Sequence, residues 1–439
     1  MRTTVLKPIA GSLAFSLLLS ACTLAPHYQQ PEVNVPAGFR YDTAAGQNSN
    51  RAADTGWEDY FADPRLKSLI TLALQNNPDL RMAALNAEAV RAQYAITRAA
   101  SLPGINASGT GQRARVAQDL SATGRSYIAE SYNVGLGIAS YELDLFGKAR
   151  SNNQAALQGY FSSAAARDSA HLALVSAVAK AYFNERYAEE TMALAQRVLQ
   201  TREATYKLSQ LRHKAGVISA VDLRQQEALI ESAKADYASA VKNREQARNS
   251  LAMLINQPLP EDLPAGLPLS KQFKLTKLPA GLSSDVLLNR PDIRAAEHAL
   301  KQANANIGAA RAAFFPRISL TGSVGTASGE LSGLFKSGTG IWAFAPSITL
   351  PIFDWGTNKA NLDVAKLRQQ AQIVAYEAAV QSAFKDVSNA LVAREQLDKS
   401  YEALSKQSRA YNDSLRLISL RYKHGVSSAL DLLDAERSS

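Results

Sequence analysis

The chain has 439 residues, enough for two or three ordinary domains, and its hydrophobic fraction of 46% can supply a sizeable core. Aromatic residues make up only 7%, while alanine and leucine are abundant, which favours long helices that meet through small side chains. The net charge of +9 comes from Lys and Arg spread along helical faces without interleaved aromatic residues. This pattern argues against a nucleic-acid-binding protein and indicates a solvated surface.

The N-terminus has the features of a secretory signal peptide over residues 1–21. Arg2 and Lys7 precede an apolar run that is about half the ~20 residues needed to span a bilayer, which argues against a membrane anchor. Leu-Ser-Ala-Cys at 19–22 resembles a bacterial lipoprotein box, so we expect Cys22 to be lipidated and to become the first residue. Thr23 follows it, and the lack of an aspartate there resembles the signal for outer-membrane sorting. The alternatives are a plain cleaved signal peptide and a cysteine that stands there by chance.

The chain contains two copies of one design. Pro-Asp-Leu-Arg at 78–81 recurs as Pro-Asp-Ile-Arg at 291–294, and further matches follow at nearly constant spacing as far as Gly216 and Gly425. The proline-rich segment between the copies reads as a linker. The predicted organisation is a lipidated extended tail over 22–58, a first structural repeat over 59–256, a linker over 257–282 and a second repeat over 283–439.

Each repeat is predicted to be mainly helical. A helical segment (about 65–101 and 283–315) comes first, and a much longer proline-free run follows the strands, over about 148–214 and 357–423. Roughly 65 residues at ~1.5 Å each would form a rod of about 100 Å. Such a rod cannot bury its apolar stripe inside one compact domain, so we expect it to pack along other long helices as in a coiled coil.

Each repeat also contains a predicted β-hairpin, at about 103–145 and 316–354. Tyr132, Val134 and Leu136 alternate with small or polar residues, the pattern of a strand with one apolar face. Such strands suit a membrane barrel, and four strands with two open edges cannot close one, so several chains would have to share it. One face of a soluble β-sandwich is the alternative.

Several stretches resemble the TolC-like outer-membrane factors, most closely the lipoprotein branch typified by OprM. The similarity runs from about Trp57 to the end of the chain, and the order and spacing of the stretches make it specific. They are WEDYFADPRLKSLITLALQNNPDLR, YELDLFGKAR, NRPDIRAAEHALKQANANIGAARAAFFPRISLTGS, LPIFDWGTNKAN and RYKHGVSSALDLLDAER.

The resemblance implies a mainly α fold with a membrane β part, in which a homotrimer forms a twelve-stranded barrel above a periplasmic tunnel of coiled-coil helices. It implies an outer-membrane exit duct that works with a periplasmic adaptor and an inner-membrane pump of the resistance-nodulation-division type and exports drugs and other small compounds. The alternatives are an exit duct for type I secretion or metal efflux, and a periplasmic coiled-coil structural lipoprotein.

The two turns at 212–223 and 421–432 are predicted to dock the adaptor. A glycine is placed in each to reverse the chain between helices, and a serine follows that can cap the next helix. A turn with no docking role is the alternative. The docking residues are Arg212, Gly216, Val217 and Ser219 in the first turn, and Arg421, Gly425, Val426 and Ser428 in the second.

A periplasmic gate is predicted at Leu430, Asp434 and Arg437, with Asp431 nearby. Ser428 and Asp431 have capping-box spacing, as do Ser219 and Asp222, so Asp431 has a structural explanation. Asp434 and Arg437 do not, because they match Gln225 and Ala228 in the first repeat. Leu430, Asp434 and Arg437 share one helix face, and in the OprM-like branch the matching residues line the closed end of the tunnel.

Catalysis, cofactors other than the lipid on Cys22, and a metal site are not expected. The five histidines lie far apart without metal-ligand spacing, and the single cysteine belongs to the lipoprotein box. Ser439 matches Ile230 of the first repeat, so we expect the second copy to stop some 25 residues before its last helix would be complete, as a fragment or a truncation.

Overall fold

The computed structural model describes residues 23–36, 38–39, 55–274, 289–424 and 426–438. Cys22 and Gly425, which the sequence singles out, lie outside these residues. The helices are α1 (Trp57–Tyr60), α2 (Pro64–Asn76), α3 (Pro78–Ala99), α4 (Lys148–Lys214), α5 (Ala220–Ile255), α6 (Pro291–Ala312), α7 (Thr357–Lys423) and α8 (Ala429–Ser438). The strands are β1 (Ile105–Val116), β2 (Tyr127–Glu142), β3 (Arg317–Ser328) and β4 (Gly340–Thr349).

The two longest helices, α4 and α7, have 67 residues each and confirm the helices predicted over 148–214 and 357–423. An aspartate at a matching position in each repeat caps the beginning of each helix. Asp144 accepts hydrogen bonds from the backbone amides of Ala149 and Arg150, and Asp354 accepts one from the amide of Asn358 at 2.9 Å. These bonds satisfy amides that have no partner inside the helix. Helix α4 packs along α3, α5 and α6, which buries apolar residues such as Ala155, Val178 and Tyr182.

The helical segment predicted at about 65–101 is present, but the structure divides it into α2 and α3 at Asn77. Pro78 has no amide proton, and Asn77 adopts an extended conformation before it. The Asn77 side chain accepts hydrogen bonds from the amides of Asp79 and Leu80, and donates to the carbonyl of Leu254 at 2.9 Å. Asn77 therefore caps α3 and attaches the break to the end of α5.

The four strands form one antiparallel sheet in the order β1-β2-β3-β4, so that β2 of the first repeat pairs with β3 of the second. The register confirms the predicted alternation. Leu136 pairs with Val324, which pairs in turn with Trp342, and all three lie on one face. Gly137 pairs with Ser323, and this pair lies on the opposite face of small and polar residues.

The chain forms two compact units, which do not coincide with the two sequence repeats. The first unit comprises residues 1–32, 61–272 and 290–377, and the second comprises 33–60, 273–289 and 378–439. In the first unit, Leu66, Ile70, Val178, Leu251 and Ile255 are fully buried where α2, α4 and α5 meet. In the second unit, the ring of Phe39 stacks on that of Phe384 with centroids 4.6 Å apart.

The N-terminal tail runs along α6 in the first unit. Arg311 donates to the carbonyl of Leu24 at 3.0 Å, Asn304 donates to the carbonyl of Pro26 at 2.8 Å, and the hydroxyl of Tyr28 donates to Glu297. Because α6 ends at Ala312 and β3 begins at Arg317, the start of the described tail lies at the strand end of the unit. Crossing a bilayer would require a longer apolar run than any helix in the described part of the chain contains.

Candidate functional site

The turn between α4 and α5 is a tight helix reversal. Gly216 has a φ of 76°, the left-handed conformation that side-chain-bearing residues rarely adopt. The amide of Gly216 donates to the carbonyl of His213, and the amide of Val217 donates to the carbonyl of Arg212, both at 2.9 Å. This pair of bonds is the Schellman arrangement that ends a helix at a left-handed residue. It leaves the Val217 side chain 70% exposed at the turn.

The turn between α7 and α8, in the second unit, repeats one of these two bonds. The amide of Val426 donates to the carbonyl of Arg421 at 2.9 Å, the counterpart of the bond from Val217 to Arg212. The Arg421 side chain donates to the hydroxyl of Ser427 at 3.1 Å. Val426 is 65% exposed, so the two turns present equivalent valines to their surroundings.

Both predicted capping boxes are confirmed. The amide of Asp222 donates to the hydroxyl of Ser219, and the amide of Ser219 donates to the carboxylate of Asp222, both at 3.1 Å. In the second turn, the amide of Asp431 donates to the hydroxyl of Ser428 at 3.1 Å, and the amide of Ser428 donates to the carboxylate of Asp431 at 2.9 Å. The amide and hydroxyl of Ser428 hold the pKa of Asp431 below its ordinary value, because hydrogen bonding to a carboxylate favours its charged form.

The predicted gate residues lie together on α8. Leu430, Asp434 and Arg437 fall within the ten-residue helix, and the side chains of Asp434 and Arg437 are exposed in the single chain. Asp431 and Asp434 line a cleft of about 500 Å³ between the last turns of α7 and α8, together with Tyr411, Ser414, Ile418, Arg421, Ser427, Ala435 and Ser438.

Within one chain, the structure does not bring the gate charges together as an ion pair. Among the described residues, Asp434 and Arg437 have no salt bridge to each other, although they are one helical turn apart. Arg421 contributes a positive charge to the same cleft, which the sequence reasoning assigned only to docking. The contacts between chains that the gate requires stay a prediction.

The apolar face of the sheet is exposed in the single chain. Trp342 is 80% exposed, and Phe344 and Ile348 are 63% and 69% exposed. Exposed aromatic and branched side chains in alternating register need a cover, which a membrane supplies for strands of this kind.

The comparison with protein families decides which kind of protein this is. Residues 69–257 and 282–439 match the family described as outer membrane efflux protein, so the family covers both repeats. The chain belongs to this family. It is therefore an outer-membrane efflux channel, with the duplicated architecture of the TolC-like outer-membrane factors.

Individual relatives agree with this assignment. The Neisseria gonorrhoeae MtrE outer membrane channel is 68% identical in sequence to this chain. Its open-state crystal structure matches with a TM-score of 0.88, and the match covers 95% of this chain and 92% of that one. Outer membrane protein OprJ of Pseudomonas aeruginosa is 43% identical over 99% of this chain and 91% of its own length. Cation efflux system protein CusC of Escherichia coli O157:H7 is 41% identical over 96% of this chain and 91% of its own length.

Sequence reasoning missed the docking of the tail on α6 and the buried carboxylate of Asp63. The tail has no periodic pattern, and its bonds go to residues some 270 or more positions away, as from Asn304 to Pro26. Asp63 had a local signal, since an aspartate directly before Pro64 is a helix cap, and its side chain accepts from the amide of Arg65 at 2.9 Å. Among the described residues, no cluster of three or more His, Cys, Asp or Glu is placed to hold a metal ion.

Proposed function

We propose that three copies of this chain form the exit duct of a tripartite efflux pump that exports drugs and other small compounds. The duct works with a periplasmic adaptor and an inner-membrane pump of the resistance-nodulation-division type. The chain acts as a passive conduit without catalytic residues, and the lipid on Cys22 is the only group attached to it.

The observation that carries the proposal is the open sheet with one apolar face and one polar face. Strands β1 and β4 are its two edges, and an unpaired edge in lipid costs several kcal/mol for each unsatisfied backbone group. The strands alternate in direction, so β4 of one copy runs antiparallel to β1 of the next. Further copies can therefore extend the sheet while every strand stays antiparallel to its neighbours.

Three copies give a suitable number of strands. A barrel of about eight strands is filled by its own side chains, whereas sixteen to eighteen strands enclose a water-filled channel. Twelve strands lie between these sizes and leave an opening, which the small inward residues on the face of Gly137 and Ser323 would widen. Each 67-residue helix is about 100 Å long, which is long enough to line a tunnel through the periplasm.

The docked tail supports the lipid anchor. Leu24 is held by Arg311 near the strand end of α6, and Cys22 is two residues further towards the N-terminus. A lipid at Cys22 would then meet the membrane that the strands cross. Mass spectrometry of the mature N-terminus tests this: a lipidated Cys22 is expected, and cleavage elsewhere or an unmodified cysteine would contradict it.

The turns and the gate have separate roles in the proposal. The exposed Val217 and Val426 form adaptor-docking points at the ends of rigid helices. Asp434 and Arg437 line the tunnel entrance, where pairs between the three chains hold the helices together. Arg421 joins them because it faces the same cleft as Asp431 and Asp434.

A second candidate substrate class is metal cations. It is favoured by the identity of 41% to the cation efflux system protein CusC. A cell assay separates the two: the duct is expressed with a drug pump or with a cation pump in a strain that has no duct of its own, and resistance to each class is measured. Resistance to drugs alone supports the first candidate, and resistance to metal salts alone supports the second.

The decisive experiment for the duct itself is conductance in planar bilayers. Purified, detergent-solubilised chain is expected to form trimers and to conduct ions. A protein that is monodisperse without detergent and does not conduct would instead favour a structural lipoprotein of the periplasm.

A further inference from the structure

Two arginines interrupt the apolar face of the sheet near the tip of the first hairpin. In β1, Ile105, Ala107, Gly109 and Gly111 occupy this face, and Arg113 and Arg115 follow in the same alternating positions. Their strand partners are Glu130 and Ile128. The face therefore changes from uncharged to charged within two residues, while the opposite face stays uncharged at Gln112 and Ala114.

The change occurs where the hydrocarbon part of a membrane would end. Arg113 lies eight residues beyond Ile105, which is about 27 Å along a strand at ~3.4 Å per residue. With the usual strand tilt of about 40°, the height is about 20 Å, close to the ~25 Å apolar band of membrane barrels. Arg113 and Arg115 therefore emerge at the level of the lipid head groups on the side away from the helices.

The fold does not require these arginines. In the alignment of the two repeats, which pairs Gly109 with Gly322, Arg113 matches Thr326 and Arg115 matches Ser328. The second hairpin makes the same sheet with uncharged residues at these positions. The two arginines are therefore an added feature of one hairpin.

The side chains are available to an external partner. Arg113 is 67% exposed although it pairs with Glu130 at 2.8 Å, and Arg115 is exposed with one long hydrogen bond to Ser126 at 3.4 Å. Arg125 adds a third exposed guanidinium in the loop between the strands. Over 105–141 the three arginines of this hairpin outnumber its two carboxylates, Asp119 and Glu130, and the next acidic residue, Glu142, lies at the far end of β2.

We propose that Arg113, Arg115 and Arg125 bind the phosphate groups of lipid A in the outer leaflet of the outer membrane. Guanidinium groups match phosphate oxygens in a planar, bidentate geometry, and they are favoured over lysine for this purpose. A lipid-facing position at head-group depth selects a phosphorylated lipid as the partner. The inference rests on the membrane orientation given by the proposed function.

The test is a titration of delipidated full-length trimer, followed by native mass spectrometry. The probes are lipid A with both phosphates and the same lipid after phosphate removal, each with and without excess inorganic phosphate. The variant is Arg113→Gln with Arg115→Gln and Arg125→Gln. The matched control is Arg91→Gln with Arg224→Gln and Arg416→Gln, since these exposed helical arginines each pair with one carboxylate.

Wild type and control are expected to bind phosphorylated lipid A about tenfold more tightly than the dephosphorylated form, given the attraction of each basic group to an anionic head group. The hairpin variant should lose this preference, and inorganic phosphate should displace little lipid. Equal affinities of wild type for both lipids, or an unchanged preference in the hairpin variant, would overturn the proposal. Equal losses in variant and control would also overturn it, as an effect of net charge alone.

Conductance in planar bilayers tests the proposed duct function separately from the binding of lipid A. The hairpin variant should conduct like wild type, because the arginines face away from the lumen. A wild-type protein that never conducts counts against the duct, whereas lipid binding is scored independently by mass.

Discussion

The hydroxyl of Tyr182 donates a hydrogen bond of 2.6 Å to the carboxylate of Asp63, and both side chains are fully buried. The same carboxylate oxygen accepts from the amide of Leu267 at 2.8 Å and from the side chain of Gln272 at 3.0 Å. Burial and the bond to Asp63 raise the pKa of Tyr182 above its ordinary value, so the hydroxyl stays a donor. One carboxylate thus joins the start of α2, the middle of α4 and the segment after α5.

Replacing Tyr182 with Phe should destabilise the first unit by about 1.5–3 kcal/mol, since a buried bond to a charged group is lost. The measurement is thermal unfolding of the purified protein in detergent. Tyr187→Phe is the control, because Tyr187 lies on the same helix and is 65% exposed. Equal melting temperatures for Tyr182→Phe and wild type would show that Asp63 does not depend on this donor.

The contacts of Asp63 with Tyr182, Leu267 and Gln272 could not be predicted from the sequence. The bounds of α4 and α7 were predictable because prolines are absent from both runs and local signals stand at their ends, such as Asp144 and Gly216. The two capping boxes and the alternation of the strands are likewise local patterns. The partner of Asp63 is 119 positions away, and nothing near either residue specifies that pairing.

The candidate site likewise has features that the sequence could predict and features that it could not. The geometry of the first turn follows from Gly216 and Ser219, so it could be predicted residue by residue. The break at Asn77 had a signal in its Asn-Pro dipeptide that the helical periodicity outweighed. The pairing partners of Asp434 lie in other chains, so neither the sequence nor a single chain specifies them.

A methyl group at Gly308 should displace the N-terminal tail. A Cβ there would lie 2.8 Å from the Cα of Ala25 and 2.5 Å from the hydroxyl oxygen of Ser151. Gly159→Ala is the matched control, because a Cβ at this other helical glycine meets only the flexible side chain of Gln302, at 3.1 Å. Both changes gain about 1 kcal/mol of helix propensity, and the clash at Gly308 should cost about 1–3 kcal/mol. Limited proteolysis should release the tail of Gly308→Ala alone; equal resistance in both variants would contradict the close contact.

Bulky residues at the exposed valines of the turns should block adaptor docking. Val217→Trp or Val426→Trp is expected to weaken adaptor binding by about thirtyfold, the ~2 kcal/mol typical of a disrupted hot spot, and to abolish drug efflux while trimers still form. Val198→Trp is the control, because Val198 lies on α4, far from the turn that contains Val217, and is 43% exposed. Adaptor binding and minimum inhibitory concentrations check the result. Unchanged resistance in both turn variants would count against docking there.

Acid should loosen the start of α8. Because the pKa of Asp431 is lowered in the folded chain, its contribution is fully present above its ordinary value of 3.8 and is lost as the pH falls through the folded value. The backbone amides of Ser428 and Asp431 should then exchange faster with deuterium, after correction for the intrinsic rate. Asp431→Asn should show the same loss at neutral pH, whereas Asp413→Asn, inside the last third of α7, should not. Protection of both amides that is independent of pH and of Asp431→Asn would rule out the capping role.

The charges of α8 should hold the duct closed. In a trimer, three copies of Asp434 would surround the axis, and Arg437 from each chain could pair with them, so opening would break pairs of about 1–3 kcal/mol each where they are partly desolvated. We therefore expect Asp434→Ala with Arg437→Ala to raise single-channel conductance and to leave trimer assembly intact.

The matched control is Arg224→Ala with Glu227→Ala, an exposed pair at the corresponding depth of α5. High salt should raise the conductance of wild type relative to that of the double variant, because it screens the pairs. Conductance and antibiotic leakage at wild-type levels in the double variant would exclude this gate.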